Sequence, residues 1–206
     1  MAPSLVSAIG MTIGGAIGLV AGFYRRGIDA TISAIVTILL SIPALVLLLA
    51  LVSALAPPGT SSPNKQTFWV VVALSILVVP QLALITRGQT MVWSDRDFVM
   101  ASRTLGARGK RMMFREVLPN VFPAMFSFAF LVLASLILVE AALAFFGVGN
   151  VTGVSWGIMI QNGRSQLDRA PHMVLFPALF MFLTILALNF IGDSLRTRFD
   201  VRESGI

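Results

Sequence analysis

The sequence predicts an all-α protein, a polytopic bundle of about five transmembrane helices that forms one domain over residues 1–206. Hydrophobic residues make up 57% of the chain and charged residues only 12%, whereas about 25% of the residues in a soluble domain are charged. Uncharged apolar runs long enough to cross a bilayer recur along the chain, and nearly all basic residues lie between them. A soluble fold of this size cannot bury so much apolar surface, so the expected solvent is lipid.

The composition excludes several kinds of site and partner. The chain has no cysteine and one histidine, which excludes disulfides, thiolate chemistry and metal sites built from cysteine or clustered histidine. The net charge of +6 does not indicate a nucleic-acid partner, because a basic excess is expected in the cytoplasmic loops of a membrane protein. A secretory signal alone is excluded as the source of the apolar runs, because it would supply one such run near the start and no others.

Five segments supply the roughly 20 residues that a spanning helix needs. The predicted spans are residues 4–24, 30–56, 66–86, 117–146 and 173–192. In the fourth span the uncharged run ends at Val139, and we expect the helix to continue through Glu140 to Phe146. Pro43 and Pro80 lie inside the second and third spans, where neighbouring helices can satisfy the freed carbonyl groups, so kinks are expected there.

The distribution of lysine and arginine predicts the orientation of the bundle. With the N-terminus outside, 12 of the 15 basic residues fall in inside loops, and the outside loops hold only Lys65, Arg164 and Arg169. The positive-inside rule therefore predicts an external N-terminus and a cytoplasmic C-terminus. No cytoplasmic segment precedes the first span to hold it in that orientation, so we expect a further helix to precede this sequence.

The first span carries glycine at four-residue spacing, which places these positions on one helical face. Glycine is common in membrane helices, but four glycines in register favour a smooth stripe for close contact with another helix. The stripe consists of Gly10, Gly14, Gly18 and Gly22.

The longest inside segment, residues 87–116, is predicted to be structured, since it has no proline and only three glycines. A short helix is expected over residues 98–105, with Asp95 or Asp97 as its N-cap. Gly106 then permits a turn.

A second short amphipathic helix is expected over residues 107–117, lying on the membrane surface. Its mixture of basic and apolar side chains suits either lipid headgroups or a partner protein. The basic positions are Arg108, Lys110, Arg111 and Arg115.

This loop contains a recognisable motif, formed by the runs DFVMASRTLG at residues 97–106 and EVLPN at residues 116–120. The two runs resemble the signature cytoplasmic loop of ABC importer permeases. That motif reads Glu-Ala-Ala, three residues, Gly, nine residues, a variable apolar position, any residue, then Leu-Pro. The positions that match at the right spacing are Ala101, Gly106, Leu118 and Pro119. The departures are Met100 for the Glu, Ser102 for the second Ala and Glu116 at the variable apolar position.

Other stretches extend the resemblance over almost the whole chain. Residues 138–149, 155–157 and 162–164 resemble the stretch after the fifth helix in the dipeptide, oligopeptide and nickel branch of these permeases. Residues 189–196, with Asp200 shortly after, are similar to the C-terminus of the same branch. The chain thus resembles the second permease of a peptide system with the type I importer fold. Members usually have six spans, so the first helix is expected to be missing here.

The resemblance implies a transport subunit without catalytic residues. It implies a location in the cytoplasmic membrane of a prokaryote, a homologous permease as partner, two cytoplasmic ATPases and an extracytoplasmic substrate-binding protein. The expected cargo is a short peptide or a related small solute such as a nickel complex. ATP and Mg²⁺ would be bound by the ATPases, so no cofactor is expected in this chain.

In this resemblance the loop inserts its first helix into a cleft on the ATPase and transmits nucleotide-driven closure to the helix bundle. Small side chains would allow tight seating, and Met100 in place of the family Glu would weaken the polar part of the contact. The expected docking residues are Phe98, Met100, Ala101, Ser102, Thr104, Leu105, Gly106, Ala107 and Arg108.

Two local patterns suggest enzyme chemistry. Residues 106–111 superficially resemble a phosphate-binding loop, but the Gly-Lys spacing and a following Ser or Thr are missing. Residues 153–157 match the nucleophile-elbow pattern, and His172 lies on the same outer side, so a membrane hydrolase or a scaffold without ATPase coupling is the alternative function. The elbow requires a strand-to-helix turn. An outer loop or re-entrant segment that covers the pathway and contains Ser155 and Trp156 is therefore favoured.

Glu140 is the only ionisable residue within a predicted span, near its outer end. A charge at this depth is costly unless it faces a cavity or a partner, so Glu140 is a candidate for the translocation pathway or the outer gate. A structural hydrogen bond to a neighbouring helix or loop is the equally open alternative.

Overall fold

Helices form nearly all of the described part of the chain, which comprises residues 2–55, 57, 63–148 and 154–200 of the computed structural model. No strand occurs in this part, which confirms the predicted all-α fold class. In chain order the helices are α1 (Ala2–Tyr24), α2 (Arg26–Leu40), α3 (Ala44–Leu55), α4 (Pro63–Ser94), α5 (Asp97–Thr104), α6 (Gly109–Phe145), α7 (Trp156–Gly163) and α8 (His172–Asp200).

Four of these helices, α1, α4, α6 and α8, are each long and apolar enough to cross a membrane. Helices α2 and α3 meet the same test only together, and they are bent by 83° at the break between Leu40 and Ala44. The described residues therefore supply four spans, or five if the bent pair is one broken span.

The prediction of one continuous helix over residues 30–56 is wrong. Pro43 lacks a backbone N–H and disfavours helical geometry at the residue before it, so the helix ends at Leu40 and a new one starts at Ala44. The kink expected at Pro43 is thus a full break, whereas α4 runs through Pro80 without interruption. The predicted end of the second span at Ala56 lies outside the described residues.

The predicted loop over residues 87–116 is much shorter in the structure. Its first part, residues 87–94, is the last two turns of α4. The charge on Arg87 does not end the helix, because its guanidinium is paired with the carboxylate of Asp29. The hydroxyl groups of Thr90 and Ser94 donate to carbonyl groups one turn earlier, at 2.7 and 2.6 Å, and both residues are buried.

The second short helix predicted over residues 107–117 does not exist as a separate element. Helix α6 begins at Gly109 and continues to Phe145, with a π-helical turn at Met113–Val117. Pro119 has no N–H to donate to the preceding turn, and wider π turns commonly accompany such defects within helices. The basic residues in this region therefore lie on the first turns of a long helix.

Helix α1 packs on α4 through its glycine stripe, Gly10, Gly14, Gly18 and Gly22. A Cβ atom on Gly14 would lie 2.5 Å from the Val79 carbonyl oxygen, and one on Gly18 would lie 2.3 Å from the Ala83 carbonyl oxygen. Contacts this short leave no space for a side chain. The backbones of α1 and α4 approach directly.

Helix α6 contacts α1, α3, α4, α7 and α8. The Ser7 hydroxyl of α1 donates to the Ala129 carbonyl at 3.1 Å, and the buried Ser127 hydroxyl donates to the carbonyl of Gly192 on α8. Interhelical hydrogen bonds and small residues of this kind hold helices together in lipid, where burial of apolar side chains gives little driving force.

Candidate functional site

The short helix α5 and the turn after it form a compact projection between the two long helices α4 and α6. All nine residues expected to dock the ATPase lie in this projection. Two of them, Ser102 and Ala107, are partly exposed. The exposed ones are Phe98, Met100, Ala101, Thr104, Leu105, Gly106 and Arg108.

One side chain anchors α5 to the bundle. Val99 is completely buried in an apolar cluster with Leu19 of α1 and with Met112, Val117 and Val121 of α6. At 100° per residue, Ala101 and Leu105 project from the side of α5 opposite to Val99. Leu105 is 87% exposed. The helix is therefore fixed on one side and exposed on the other.

The turn after α5 is a Schellman motif centred on Gly106. The N–H of Ala107 donates to the Ser102 carbonyl and the N–H of Gly106 donates to the Arg103 carbonyl, each at 3.1 Å. This pattern needs a residue in the left-handed region at the position after the C-cap. Gly106 has φ +82°, which favours glycine because it lacks a Cβ atom.

The start of α5 differs from the prediction. The N-cap residue is Arg96, which makes no side-chain capping bond, and neither Asp95 nor Asp97 occupies that position. Asp97 lies in the first turn, where its negative charge interacts favourably with the helix dipole. Asp95 instead forms an ion pair with Arg25 at 2.7 Å.

Two ion pairs connect the corner between α1 and α2 to the end of α4. The Arg25 guanidinium also donates to the Met91 carbonyl at 3.0 Å. Two turns further into the bundle, Arg87 binds Asp29 through two hydrogen bonds, of which the Nη2–Oδ2 bond is 2.8 Å. The end of α4 therefore holds a defined position, and α5 follows it after two residues.

Sequence reasoning missed these ion pairs. Asp29 and Arg87 lie just beyond the uncharged runs, a position that is typical of ordinary loop charges. The signal that was available is that Asp29 is the only acidic residue in the first 90 residues of the chain. A lone acidic residue at the edge of a span has few ways to avoid the cost of an unpaired charge in an apolar region.

The three residues predicted for the pathway or outer gate lie at the other end of α6. Glu140 is partly exposed and lies little more than one turn before the end of α6. Trp156 starts α7, and Gly157 packs so closely on α6 that a Cβ atom there would lie 2.7 Å from the Ala141 carbonyl oxygen. Helix α7 thus covers the end of α6 near Glu140.

Ser155 has a structural role. Its hydroxyl accepts a hydrogen bond from the N–H of Ile158 at 3.3 Å and caps α7. His172 begins α8 and its ring contacts Phe176. The described residues contain no strand from which a nucleophile elbow could turn, and Gly153 of that pattern lies outside them.

Replacing Ser155 with alanine tests the hydrolase alternative. We expect a loss of about 1 kcal/mol in stability, because an N-cap is removed, with transport retained. Thermal unfolding of the solubilised protein measures the first effect, and uptake by membrane vesicles that contain it measures the second. Complete loss of activity with normal folding would instead favour a nucleophilic serine.

Comparison with known proteins agrees with the motif-based resemblance. Residues 14–204 match the family described as binding-protein-dependent transport system inner membrane component. The glutathione transport system permease protein GsiD of Pectobacterium atrosepticum is 34% identical over 193 residues, which are 93% of this chain and 62% of that protein. The dipeptide transport system permease protein DppC of Alkalihalophilus pseudofirmus is 33% identical over 191 residues, or 92% of this chain and 60% of that protein.

A solved structure shows the same fold. A chain of the inward-facing MetNI methionine ABC transporter superposes with a TM-score of 0.73 at 22% identity, covering 95% of this chain and 90% of that chain. The present sequence spans only 60–62% of the length of the two curated relatives. Because the family match covers nearly the whole sequence, the chain belongs to the binding-protein-dependent transport system inner membrane components.

Proposed function

We propose that this chain is a membrane-spanning permease subunit of an ATP-binding-cassette importer that moves short peptides or related small solutes across the cytoplasmic membrane. It would act as one permease domain over residues 1–206, paired with a homologous permease, two ATPase subunits and an extracytoplasmic binding protein. ATP hydrolysis is assigned to the ATPases. The named relatives transport glutathione and dipeptide, which supports a peptide cargo.

The observation that carries the proposal is the geometry of α5. The helix is fixed to the bundle by the buried Val99, while Ala101, Leu105 and the other docking residues remain open. A push on its exposed side is transmitted to α1 and α6, because the Val99 cluster contains residues of both helices. This is the arrangement that a coupling element between an ATPase and a helix bundle requires.

The proposed orientation places α5 and the C-terminal end of α8 in the cytoplasm and the start of α1 outside. It is supported by the excess of basic residues at the α5 end of the bundle. The same orientation places Glu140, Ser155 and Trp156 near the outer surface, where we assign them to the pathway or the outer gate.

Substitution of Gly106 tests the coupling role. Gly106→Val forces a β-branched residue into the left-handed region at a cost of about 1–2 kcal/mol or more. Because no atom lies within 4 Å of a Cβ built at Gly106, the strain is local and the bundle should still fold. We expect loss of ATPase association or of coupled transport, with docking of the binding protein retained.

Gly106→Asn is the matched control, since asparagine tolerates the left-handed region better than valine. It should retain much more transport than Gly106→Val. Copurification of the ATPase and peptide-driven ATP hydrolysis in reconstituted vesicles measure both variants. Normal coupling in Gly106→Val would show that α5 and its turn are not the coupling element.

A further inference from the structure

Helix α6 has an open face within its membrane-spanning part. Three phenylalanines follow each other there at four-residue spacing: Phe122 and Phe126 are exposed and Phe130 is partly exposed. Their rings form a continuous ladder, stacked between Phe122 and Phe126 with centroids 6.2 Å apart, and edge-to-face between Phe126 and Phe130 at 5.2 Å. Other positions of α6 pack on neighbouring helices, as the buried residues Val121, Met125, Ser127 and Ala129 show.

The same face leads to Glu140. Eighteen residues separate Phe122 from Glu140, which is five turns of an α-helix, so both side chains project in the same direction. At 1.5 Å per residue Phe122 and Glu140 lie about 27 Å apart along the axis of α6, close to the thickness of the hydrocarbon core. Glu140 is the only ionisable residue of α6 after Glu116.

Helix α8 offers a different open face for comparison. Between His172 and Asp193 it has no ionisable side chain, and it exposes a long row of apolar ones. That surface suits lipid on composition alone. The row includes Leu175, Phe176, Leu179, Phe180, Phe182, Leu183, Leu186 and Phe190.

An acidic group on a lipid-facing stripe is costly, and ionisable residues in spans generally face a cavity or a partner. A ladder of aromatic faces together with one carboxylate is complementary to a solute that carries an ammonium group and apolar side chains, because aromatic faces and carboxylates both attract cations. A short peptide with a free amino terminus has this chemistry.

We propose that the open face of α6, formed by Phe122, Phe126, Phe130 and Glu140, is a wall of the translocation path. The phenylalanine rings contact the side chains of the passing peptide, and the Glu140 carboxylate binds its terminal ammonium group. This inference rests on the proposed function, since it concerns the path of the same cargo.

Single cysteines test the position of the wall, and this sequence contributes no cysteine of its own to the labelling. In the assembled transporter, Phe122→Cys and Phe126→Cys should react with a water-soluble alkylammonium methanethiosulfonate, and saturating dipeptide should slow the reaction. Phe182→Cys on α8 is the matched control and should react only with a membrane-partitioning maleimide. If positions 122 and 126 behave like 182, or cross-link only to the partner permease, the wall assignment is wrong.

A substrate–mutant cycle tests the role of Glu140. We expect Glu140→Gln to raise the KM for a free-amine dipeptide roughly tenfold or more, the effect of one lost charged hydrogen bond. It should leave the KM for the N-acetylated dipeptide unchanged. A preference of the binding protein for one dipeptide is the same in the wild-type and the Glu140→Gln transporter. It therefore cancels when the mutant-to-wild-type ratios of KM are compared between the two dipeptides.

Equal effects of Glu140→Gln on both dipeptides would overturn the assignment of Glu140 to the amino group. Peptide transport by the wild-type assembly, with no labelling at positions 122 and 126, would overturn this inference and leave the proposed function intact. If the wild-type assembly transports no peptide, the proposed function fails and the inference fails with it.

Discussion

Gly18→Ala is expected to destabilise the helix bundle by about 1–3 kcal/mol, as overpacking of a close contact does. The added methyl group would lie 2.3 Å from the Ala83 carbonyl oxygen, 2.7 Å from the Thr86 Cβ and 2.9 Å from the Arg87 amide nitrogen. Two of these atoms belong to the backbone of α4, so a side-chain rotation cannot relieve the clash and the helices must separate. Thermal unfolding of the detergent-solubilised protein should show a clearly lower Tm.

The matched control for this variant is Gly88→Ala on α4. A Cβ at Gly88 meets no atom within 4 Å, and alanine in a helix interior is favoured over glycine by about 0.5–1 kcal/mol. The two variants should therefore shift the Tm in opposite directions. Equal shifts would mean that the contact between α1 and α4 does not depend on its glycines.

Arg87→Ala should cost about 1.5–3 kcal/mol, the range for hydrogen bonds to charged groups. The Asp29 carboxylate has only 16% of its side chain exposed and would lose both guanidinium bonds. Replacing both Asp29 and Arg87 should lower the free energy of unfolding by less than the sum of the two single replacements. The double variant leaves no unpaired carboxylate in the bundle. A double-mutant cycle on the free energy of unfolding measures this coupling.

The Arg25–Asp95 pair is the comparison for that cycle. Its side chains are 38% and 63% exposed, so solvent screens their interaction and a coupling of about 0–1 kcal/mol is expected. The coupling free energy between Asp29 and Arg87 should exceed that between Arg25 and Asp95. If it does not, burial adds nothing to the interaction of the first pair.

The sequence was sufficient for the fold class because membrane-spanning helices need long uncharged runs, and these can be read directly. The motif at Ala101, Gly106 and Pro119 likewise identified the family, since its spacing reflects one helix, one turn and the first turns of α6. The turn at Gly106 was predictable for the same local reason. Its positive φ follows from the Schellman geometry.

Tertiary pairing explains what the sequence did not reveal. Arg87 was read as the start of a loop because a charge ends an uncharged run, but its pairing with Asp29, 58 residues earlier, lets α4 continue to Ser94. The phenylalanine ladder on α6 was hidden among other apolar residues. Only the packing of neighbouring helices distinguishes its open face from the buried ones.

The break at Pro43 has a consequence for bilayer thickness. At 1.5 Å per residue, the 15 residues of α2 are about 22 Å long and the 12 of α3 about 18 Å, so neither alone reaches across a hydrocarbon core of about 30 Å. With 83° between them, one arm can follow the membrane normal only if the other lies almost in the membrane plane. At this bend the two arms together extend less far along the membrane normal than a straight helix of the same number of residues would.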